Sequence, residues 1–292
     1  MTCGIDTWED EATEPVLRRA VEFTIEQLVD AYNQTRVGYI VPMPMNAQHL
    51  SEYIHNYDVK LEYSAVALSD GQIRGLVLLG VRSGRCWSTR LGVLPAQRRH
   101  GMGEWLMRDN IRMSQALGAK CIVLEVINGN EPAHQLFVKL GFRETRVLLI
   151  LHRPPHPPQA DEMGGYRVTF LDADDAVALL AQRRSTPSWL DETPSLVNAG
   201  NLAALQVELS DGGRGWLVYQ NTISQLGRLV LQTEAGDPRE VARTLVHALH
   251  CKYPVKDTNT ENLPLDDPHL PGLLDMGYIE VFRRIEMRLD LQ

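Results

Sequence analysis

A short stretch rich in basic residues and glycine lies between a predicted strand and a predicted helix. Arg98, Arg99 and His100 directly precede Gly101 and Gly103. The first turn of a helix presents unpaired N–H groups and a partial positive charge. Glycine lets an anion approach the main chain closely, and arginine adds charge. The stretch therefore predicts a pyrophosphate-binding turn, although many glycine turns of this kind are only tight turns.

The next segment is a strand that carries a carboxylate, followed by a second helix. Residues 121–127 are rich in β-branched side chains and contain Glu125, a pattern typical of a buried strand. Asn130 and Pro132 mark the start of the helix and Gly141 marks its end. A lone carboxylate is costly to bury, so Glu125 is a candidate general base. The alternative is a polar residue on the open face of the strand.

These two motifs, in this order, resemble those of the GNAT superfamily of N-acyltransferases. Arg98-x-x-Gly101-x-Gly103 is similar to the acyl-CoA motif of that family, and residues 124–142 are similar to its second motif. The resemblance implies an acyl-CoA donor, with acetyl-CoA expected, and an amine acceptor. It also implies the cofactor-binding residues, which are Leu91, Gly92 and Val93 along the pantetheine arm, Arg98, Arg99, His100, Gly101, Met102, Gly103 and Glu104 around the pyrophosphate, and Asn130.

The resemblance implies catalytic roles as well. Glu125 lies twelve positions before Phe137, which is the spacing between base and acid in bacterial N-terminal peptide acetyltransferases of this family. Phe137 stands where many members have a tyrosine that protonates the leaving thiolate, and a phenyl ring has no proton to donate. The thiolate then leaves unassisted, or water or another residue supplies the proton, or catalysis is weak.

Composition narrows the class of protein further. A chain of 292 residues predicts two domains, and a net charge of −8 argues against a nucleic-acid partner. No apolar run reaches the roughly 20 residues that span a membrane, and the N-terminal residues do not resemble a signal peptide. The four cysteines show no metal-ligand spacing. We expect a cytoplasmic protein without metal, a monomer or homodimer, that acts on a small-molecule or peptide amine.

The order of predicted elements indicates an α+β (mixed α/β) fold with two tandem GNAT-like domains, each a mostly antiparallel mixed sheet flanked by helices. We predict an acyl-CoA domain over residues 1–152, a proline-rich linker over 153–162 and a degenerate GNAT-like domain over 163–292. Besides the motifs above, the first domain has predicted helices at 14–32 and 47–57 and strands at 64–68, 75–81, 86–94 and 147–151. The second has predicted helices at 174–184 and 238–250 and strands at 202–209, 215–220, 227–233 and 284–291.

The second half lacks a basic glycine turn. Glu234 and Asp237 flank Gly236 where a pyrophosphate would require positive charge, and like charges repel. We expect this half not to bind CoA, but to shape the acceptor pocket or to stabilise the first half. For the whole chain, the alternative to an enzyme is a CoA-binding regulatory or structural protein without turnover.

Overall fold

The computed structural model describes residues 15–158 and 165–291. The helices are α1 (Ile25–Thr35), α2 (Ala47–Asn56), α3 (Met102–Ala116), α4 (Glu131–Lys139), α5 (Ala173–Leu180), α6 (Thr193–Ala199), α7 (Pro238–Lys252) and α8 (Leu270–Asp275). The strands are β1 (Val16–Arg19), β2 (Ala65–Ser69), β3 (Gln72–Arg82), β4 (Arg85–Val93), β5 (Cys121–Ile127), β6 (Arg143–Arg153), β7 (Tyr166–Leu171), β8 (Leu202–Leu209), β9 (Arg214–Asn221), β10 (Gln225–Ala235), β11 (Asp257–Pro264) and β12 (Ile279–Asp290).

The chain forms two units that do not follow its sequence halves. The first unit comprises Met1–Ser51, Val59–Ile122 and Leu291–Gln292, and the second comprises Glu52–Asp58 and Val123–Asp290. Helix α4 and strand β6, which precede the predicted linker, therefore belong to the same unit as the second half of the chain. The domain limits expected from the sequence remain predictions, and residues 159–162 of the predicted linker lie outside the described residues.

In the first unit, strands β1 to β4 follow one another as antiparallel neighbours. Four successive residues of β3, from Leu76 to Leu79, are buried. Successive strand residues point to opposite faces, so both faces of β3 are covered. Helices α1 and α3 both pack against β3 and β4. This packing fixes the end of β4 and the start of α3, where the basic glycine turn lies.

The predicted helix over residues 14–32 is wrong in its first part, because Val16–Arg19 form strand β1 and pair with β2. Residue 14 lies outside the described residues. Helix α1 begins only after Thr24, whose hydroxyl accepts from the Gln27 N–H at 3.2 Å, while the Gln27 side chain accepts from the Thr24 N–H at 2.8 Å. This reciprocal capping box sets the helix start. The apolar pattern upstream of it belongs to a strand.

In the second unit, the strand order is β5-β12-β6-β11-β10-β9-β8-β7. The last strand, β12, runs antiparallel to β6 from Ile279 opposite His152 to Arg288 opposite Arg143. Strand β10 pairs with β11 in parallel over a short stretch, and every other pair with a resolved register is antiparallel. Helix α7 packs on this sheet through Val241, Leu245 and Leu249, among other residues. The predicted mixed, mostly antiparallel architecture is confirmed.

Most of the remaining predicted helices and strands are present with shifted ends. Sequence analysis missed β7, β11, α6 and α8. Strand β11 carries polar side chains at most positions, so it shows no apolar alternation that would indicate a strand. Across residues 15–158 and 165–291, no helix is both long and apolar enough to cross a membrane.

Candidate functional site

The predicted pyrophosphate-binding turn lies at the start of α3. We call residues 98–104 the α3 turn. Gly101 is the N-cap residue of α3, with φ +82°, and no side chain caps the helix there. A Cβ atom added to Gly101 would meet nothing within 4 Å among the described residues. The start of α3 is therefore uncapped and has open space beside Gly101, two properties of a helix start that binds an anion.

The basic residues of the α3 turn differ in what they contact. The Arg98 guanidinium donates to the carbonyl oxygens of Val93 at 3.2 Å and Thr35 at 3.0 Å, so it ties the end of β4 to the end of α1. Arg99 and His100 are exposed, so these two basic side chains of the α3 turn are accessible to an anion. The role of Arg98 at a pyrophosphate stays a prediction.

Strand β4 is irregular just before the α3 turn. Its register with β3 shifts between Leu76 and Leu78, so Arg90 and Leu91 form a bulge. Arg90 has φ +56°, which is uncommon for a residue other than glycine. Its guanidinium donates to the Tyr32 hydroxyl at 3.0 Å. The bulge interrupts the regular strand ladder within the segment expected to hold a thioester.

Gly92 follows the bulge and lies against helix α1. A Cβ atom at this position would overlap the Thr35 side chain, which is buried. Any larger residue here would therefore push β4 and α1 apart. Arg36, the residue after Thr35, donates to the Leu91 carbonyl oxygen at 3.2 Å. Together these contacts hold Leu91 and Gly92 in a fixed position relative to the turn.

Glu125 lies half-buried on β5 in the second unit. The Asn262 side-chain nitrogen lies 3.4 Å from Glu125 Oε1 and donates to it. Asn262 belongs to β11 and is only 2% exposed. It also donates to the Ser188 hydroxyl at 3.1 Å, and its oxygen accepts from Arg284 at 2.9 Å. Sequence analysis missed Asn262 and Ser188, because no local pattern links residues so far apart in the chain.

A second carboxylate lies behind Ser188. The Ser188 hydroxyl donates to Asp191 Oδ2 at 3.0 Å, and Asp191 is buried. Burial raises the pKa of Asp191 to about 6, against the opposing effect of the nearby Arg183 charge. The Arg183 guanidinium donates to the Asp191 main-chain oxygen at 2.8 Å.

The two other residues singled out by their sequence position lie on and around α4. Asn130 is the N-cap residue of that helix, and its N–H donates to the Ile127 carbonyl at 3.0 Å. Phe137 is buried, and its ring centroid lies 5.9 Å from that of Phe142. Its burial and its contact with Phe142 indicate that Phe137 packs in the protein interior.

The predicted site residues thus fall into two groups. Leu91, Gly92, Val93 and residues 98–104 belong to the first unit, and Glu125 and Asn130 belong to the second. Within the part of the chain that the structure describes, no group of three or more His, Cys, Asp or Glu side chains could hold a metal ion.

Comparison with solved structures shows the same architecture in other proteins. A GCN5-related N-acetyltransferase from Sphaerobacter thermophilus is similar over 94% of this chain and 95% of its own, with 14% identity and a TM-score of 0.70. A tandem GNAT protein from the clavulanic acid biosynthesis pathway covers 95% of this chain and 98% of its own, with 14% identity and a TM-score of 0.61. At these identities the similarity shows the fold alone.

A third solved structure, the glucosamine N-acetyltransferase region of a fungal multi-domain β-N-acetylglucosaminidase, is similar over 97% of this chain and 39% of its own. Its identity is 16% and its TM-score is 0.70. No curated protein matches this chain.

Residues 24–142 match the family model of the acetyltransferase (GNAT) family. These residues therefore form a GNAT domain, and the fold of the whole chain is similar to that of a tandem GNAT protein. Enzymes of this family transfer an acyl group from acyl-CoA to an amine of a small molecule or protein.

Proposed function

We propose that this protein transfers an acetyl group from acetyl-CoA to a primary amine by direct attack, without a covalent enzyme intermediate. The single observation that carries the proposal is the start of α3. Its N-cap is a glycine at φ +82°, its first N–H groups have no capping side chain, and the space beside the glycine is open. A diphosphate fits such a helix start because its charge and its oxygens match the dipole and the N–H donors.

In this proposal the main chain does most of the donor binding. The N–H groups of residues 101–104 hold the pyrophosphate, and Arg99 and His100 add charge at its edge. Leu91, Gly92 and Val93 align the pantetheine arm, and a main-chain N–H of Gly92 or Val93 stabilises the oxyanion that forms on the thioester carbonyl. The bulge in β4 and the packing of Gly92 against Thr35 support this role because they fix the position of these groups.

We propose Glu125 as the general base. Its carboxylate takes a proton from the amine as the amine nitrogen bonds to the thioester carbon. The carbon–sulfur bond then breaks, and the electron pair leaves with the thiolate of CoA. Phe137 cannot protonate this thiolate. Since a CoA thiolate is a good leaving group, water can supply the proton after departure.

One assay tests the proposal and its alternative. Purified protein is mixed with acetyl-CoA and a panel of primary amines, which includes amino acids, polyamines, aminoglycosides and peptide N-termini, and CoA release is recorded. Amine-dependent release supports the proposed reaction. Tight binding of acetyl-CoA in calorimetry without release for any amine supports a CoA-binding regulatory protein instead, an alternative favoured by Phe137 in place of a proton donor.

A further inference from the structure

Two neutral side chains join Glu125 to the buried carboxylate of Asp191. Asn262 donates to Glu125 Oε1 at 3.4 Å and to Ser188 Oγ at 3.1 Å, and Ser188 donates to Asp191 at 3.0 Å. We propose that Asn262, held by Ser188, Asp191 and Arg284, positions the Glu125 carboxylate for proton transfer. We call these four residues the Asn262 network. This inference rests on the proposed role of Glu125 as base.

Arg284 fixes the orientation of the Asn262 amide. Its Nη1 lies 2.9 Å from Asn262 Oδ1. A guanidinium group only donates hydrogen bonds, so the atom that faces it must be the amide oxygen. Both hydrogens of the amide nitrogen therefore point toward Glu125 and Ser188. The chemistry of the network leaves no freedom to exchange the amide oxygen and nitrogen.

The hydroxyl of Ser188 has its direction fixed in the same way. The nitrogen of Asn262 has no lone pair to accept a hydrogen bond, so Ser188 accepts from Asn262 and donates its only hydrogen to Asp191. Consecutive hydrogen bonds in one direction polarise each other. All three side chains are at most 6% exposed, so water does not compete strongly for these bonds.

The backbone of β11 is distorted where it presents Asn262. The residue has φ +57°, and the register between β11 and β6 shifts between Thr260 and Leu263. Bulges of this kind re-aim a side chain. A left-handed conformation is unfavourable for most residues, and asparagine tolerates it better than most. The strand thus departs from regular geometry at the residue whose amide reaches Glu125.

The network affects Glu125 in two ways. A hydrogen bond to one carboxylate oxygen restricts rotation of the side chain, and it favours the ionised form over the protonated form. The ionised form is the one that can take a proton from an amine. In this proposal, the second half of the chain contributes to the reaction through Asn262 although it has no basic glycine turn of its own.

The test measures the carboxyl group of Glu125 directly. Protein labelled with ¹³C at the side-chain carboxyl carbons of glutamate is titrated by NMR, and the Glu125→Gln variant identifies the Glu125 resonance. Asn262→Asp keeps the shape and the tolerance for positive φ, retains a partner for Arg284, and replaces the donor by an acceptor. We expect the titration midpoint of Glu125 to rise by about one pH unit.

Asn259→Asp is the matched control. Asn259 lies on the same strand, and its amide donates to Asp257 at 3.3 Å. This variant adds the same charge to β11 without touching the network, so we expect the Glu125 midpoint to move by less than about 0.2 pH unit. If Asn262→Asp does not fold, Asn262→Gly replaces it, because glycine accepts φ +57° and removes the donor; its midpoint must also rise.

Activity measurements distinguish the proposed positioning role of Asn262 from the proposed role of Glu125 as base. With an acetyl acceptor found in the amine panel, Asn262→Asp should lower kcat about tenfold, shift the acid limb of the pH–rate profile upward and leave the KM for acetyl-CoA unchanged. A folded variant whose Glu125 midpoint equals that of the wild type overturns the inference, even if Glu125→Gln is inactive. Full activity of Glu125→Gln overturns the base assignment itself.

Discussion

The two halves of the chain each start a 15-residue helix after a strand and a glycine-containing turn, but the two helix starts differ. At α3 the N-cap is Gly101, without a capping side chain. At α7 the N-cap is Asp237, whose carboxylate accepts from the Arg239 N–H at 3.0 Å, and Pro238 follows without an N–H. The same helix start is left open for an anion in one half, and is closed by the protein's own carboxylate in the other.

The turn before α7 is also closed sterically. A Cβ atom on Gly236 would lie 2.7 Å from the main chain of Gly213 in the β8–β9 hairpin. The glutamates of the two halves differ as well. Glu125 and Glu261 both hold the fifth position of their strands, β5 and β11, yet Glu261 pairs with Arg284 at 3.1 Å and is largely exposed. A shared fold therefore leaves the two halves with different chemistry.

The largest expected effect compares these two glutamates. Glu125→Gln should lower the turnover of acetyl-CoA and amine by about 10²- to 10⁴-fold, because a positioned base contributes that much. Glu261→Gln should stay within about threefold of the wild type, because glutamine still offers an oxygen to Arg284 and leaves the contact between Arg284 and Asn262 in place. Steady-state CoA release measures both. An equal loss in the two variants would break the comparison.

The second prediction places a carboxylate on the α3 turn, as there is on the α7 turn. Gly101→Asp should weaken binding of CoA at least about 100-fold, close to 3 kcal/mol, because it adds negative charge where the pyrophosphate is expected to bind. Calorimetry with CoA measures the effect. Gly118→Asp is the matched control, since Gly118 also has positive φ and open space but lies at the other end of α3. Equal affinity of both variants would rule out the α3 turn as the CoA site.

The third prediction concerns the buried carboxylate of the second half. Because burial raises the pKa of Asp191 to about 6, the folded state binds a proton more tightly than the unfolded state does. The resulting stability is present below about pH 4 and is lost as the pH rises through 6. Between pH 4 and pH 7, the wild type should lose about 2 to 3 kcal/mol of unfolding free energy relative to Asp191→Asn. Urea unfolding across this range measures the difference, and a constant difference would contradict the pKa shift.

The smallest expected effect comes from removing a carboxylate from the α7 turn, whereas the second prediction adds one to the α3 turn. Asp237→Ala removes the cap of α7 and should cost about 1 kcal/mol, or a decrease in Tm of about 2 to 4 °C. It should not create a CoA site at α7, because Pro238 still offers no N–H and Gly236 still lies close to the main chain of Gly213. Asp172→Ala, which removes the cap of α5, is the control and should cost about the same. A second CoA bound per molecule of Asp237→Ala, in addition to the one expected at the α3 turn, would mean that the cap alone distinguishes the two halves.

Features encoded by neighbouring residues were predictable from the sequence. The helix start at Gly101 and the strand around Glu125 follow from local spacing, as does the loss of the basic turn near Gly236. The contact between Glu125 and Asn262 was not predictable, because 137 residues separate them and β11 has no apolar alternation. Val16–Arg19 show the opposite error, since an apolar pattern consistent with a helix becomes a strand when β2 offers an edge.

The partner of each strand also could not be predicted from the sequence. An alternating pattern specifies which face of a strand is buried, but not which strand lies beside it. The insertion of β12 between β5 and β6 therefore required the structure.

That insertion constrains how the protein can be synthesised. Strands β5 and β6 are synthesised before β7 to β11, and β12, which lies between β5 and β6, is synthesised after all of these. Until then both strands have unpaired edges, which favour association with other chains. A gene fragment that ends before Ile279 should therefore yield an aggregation-prone product.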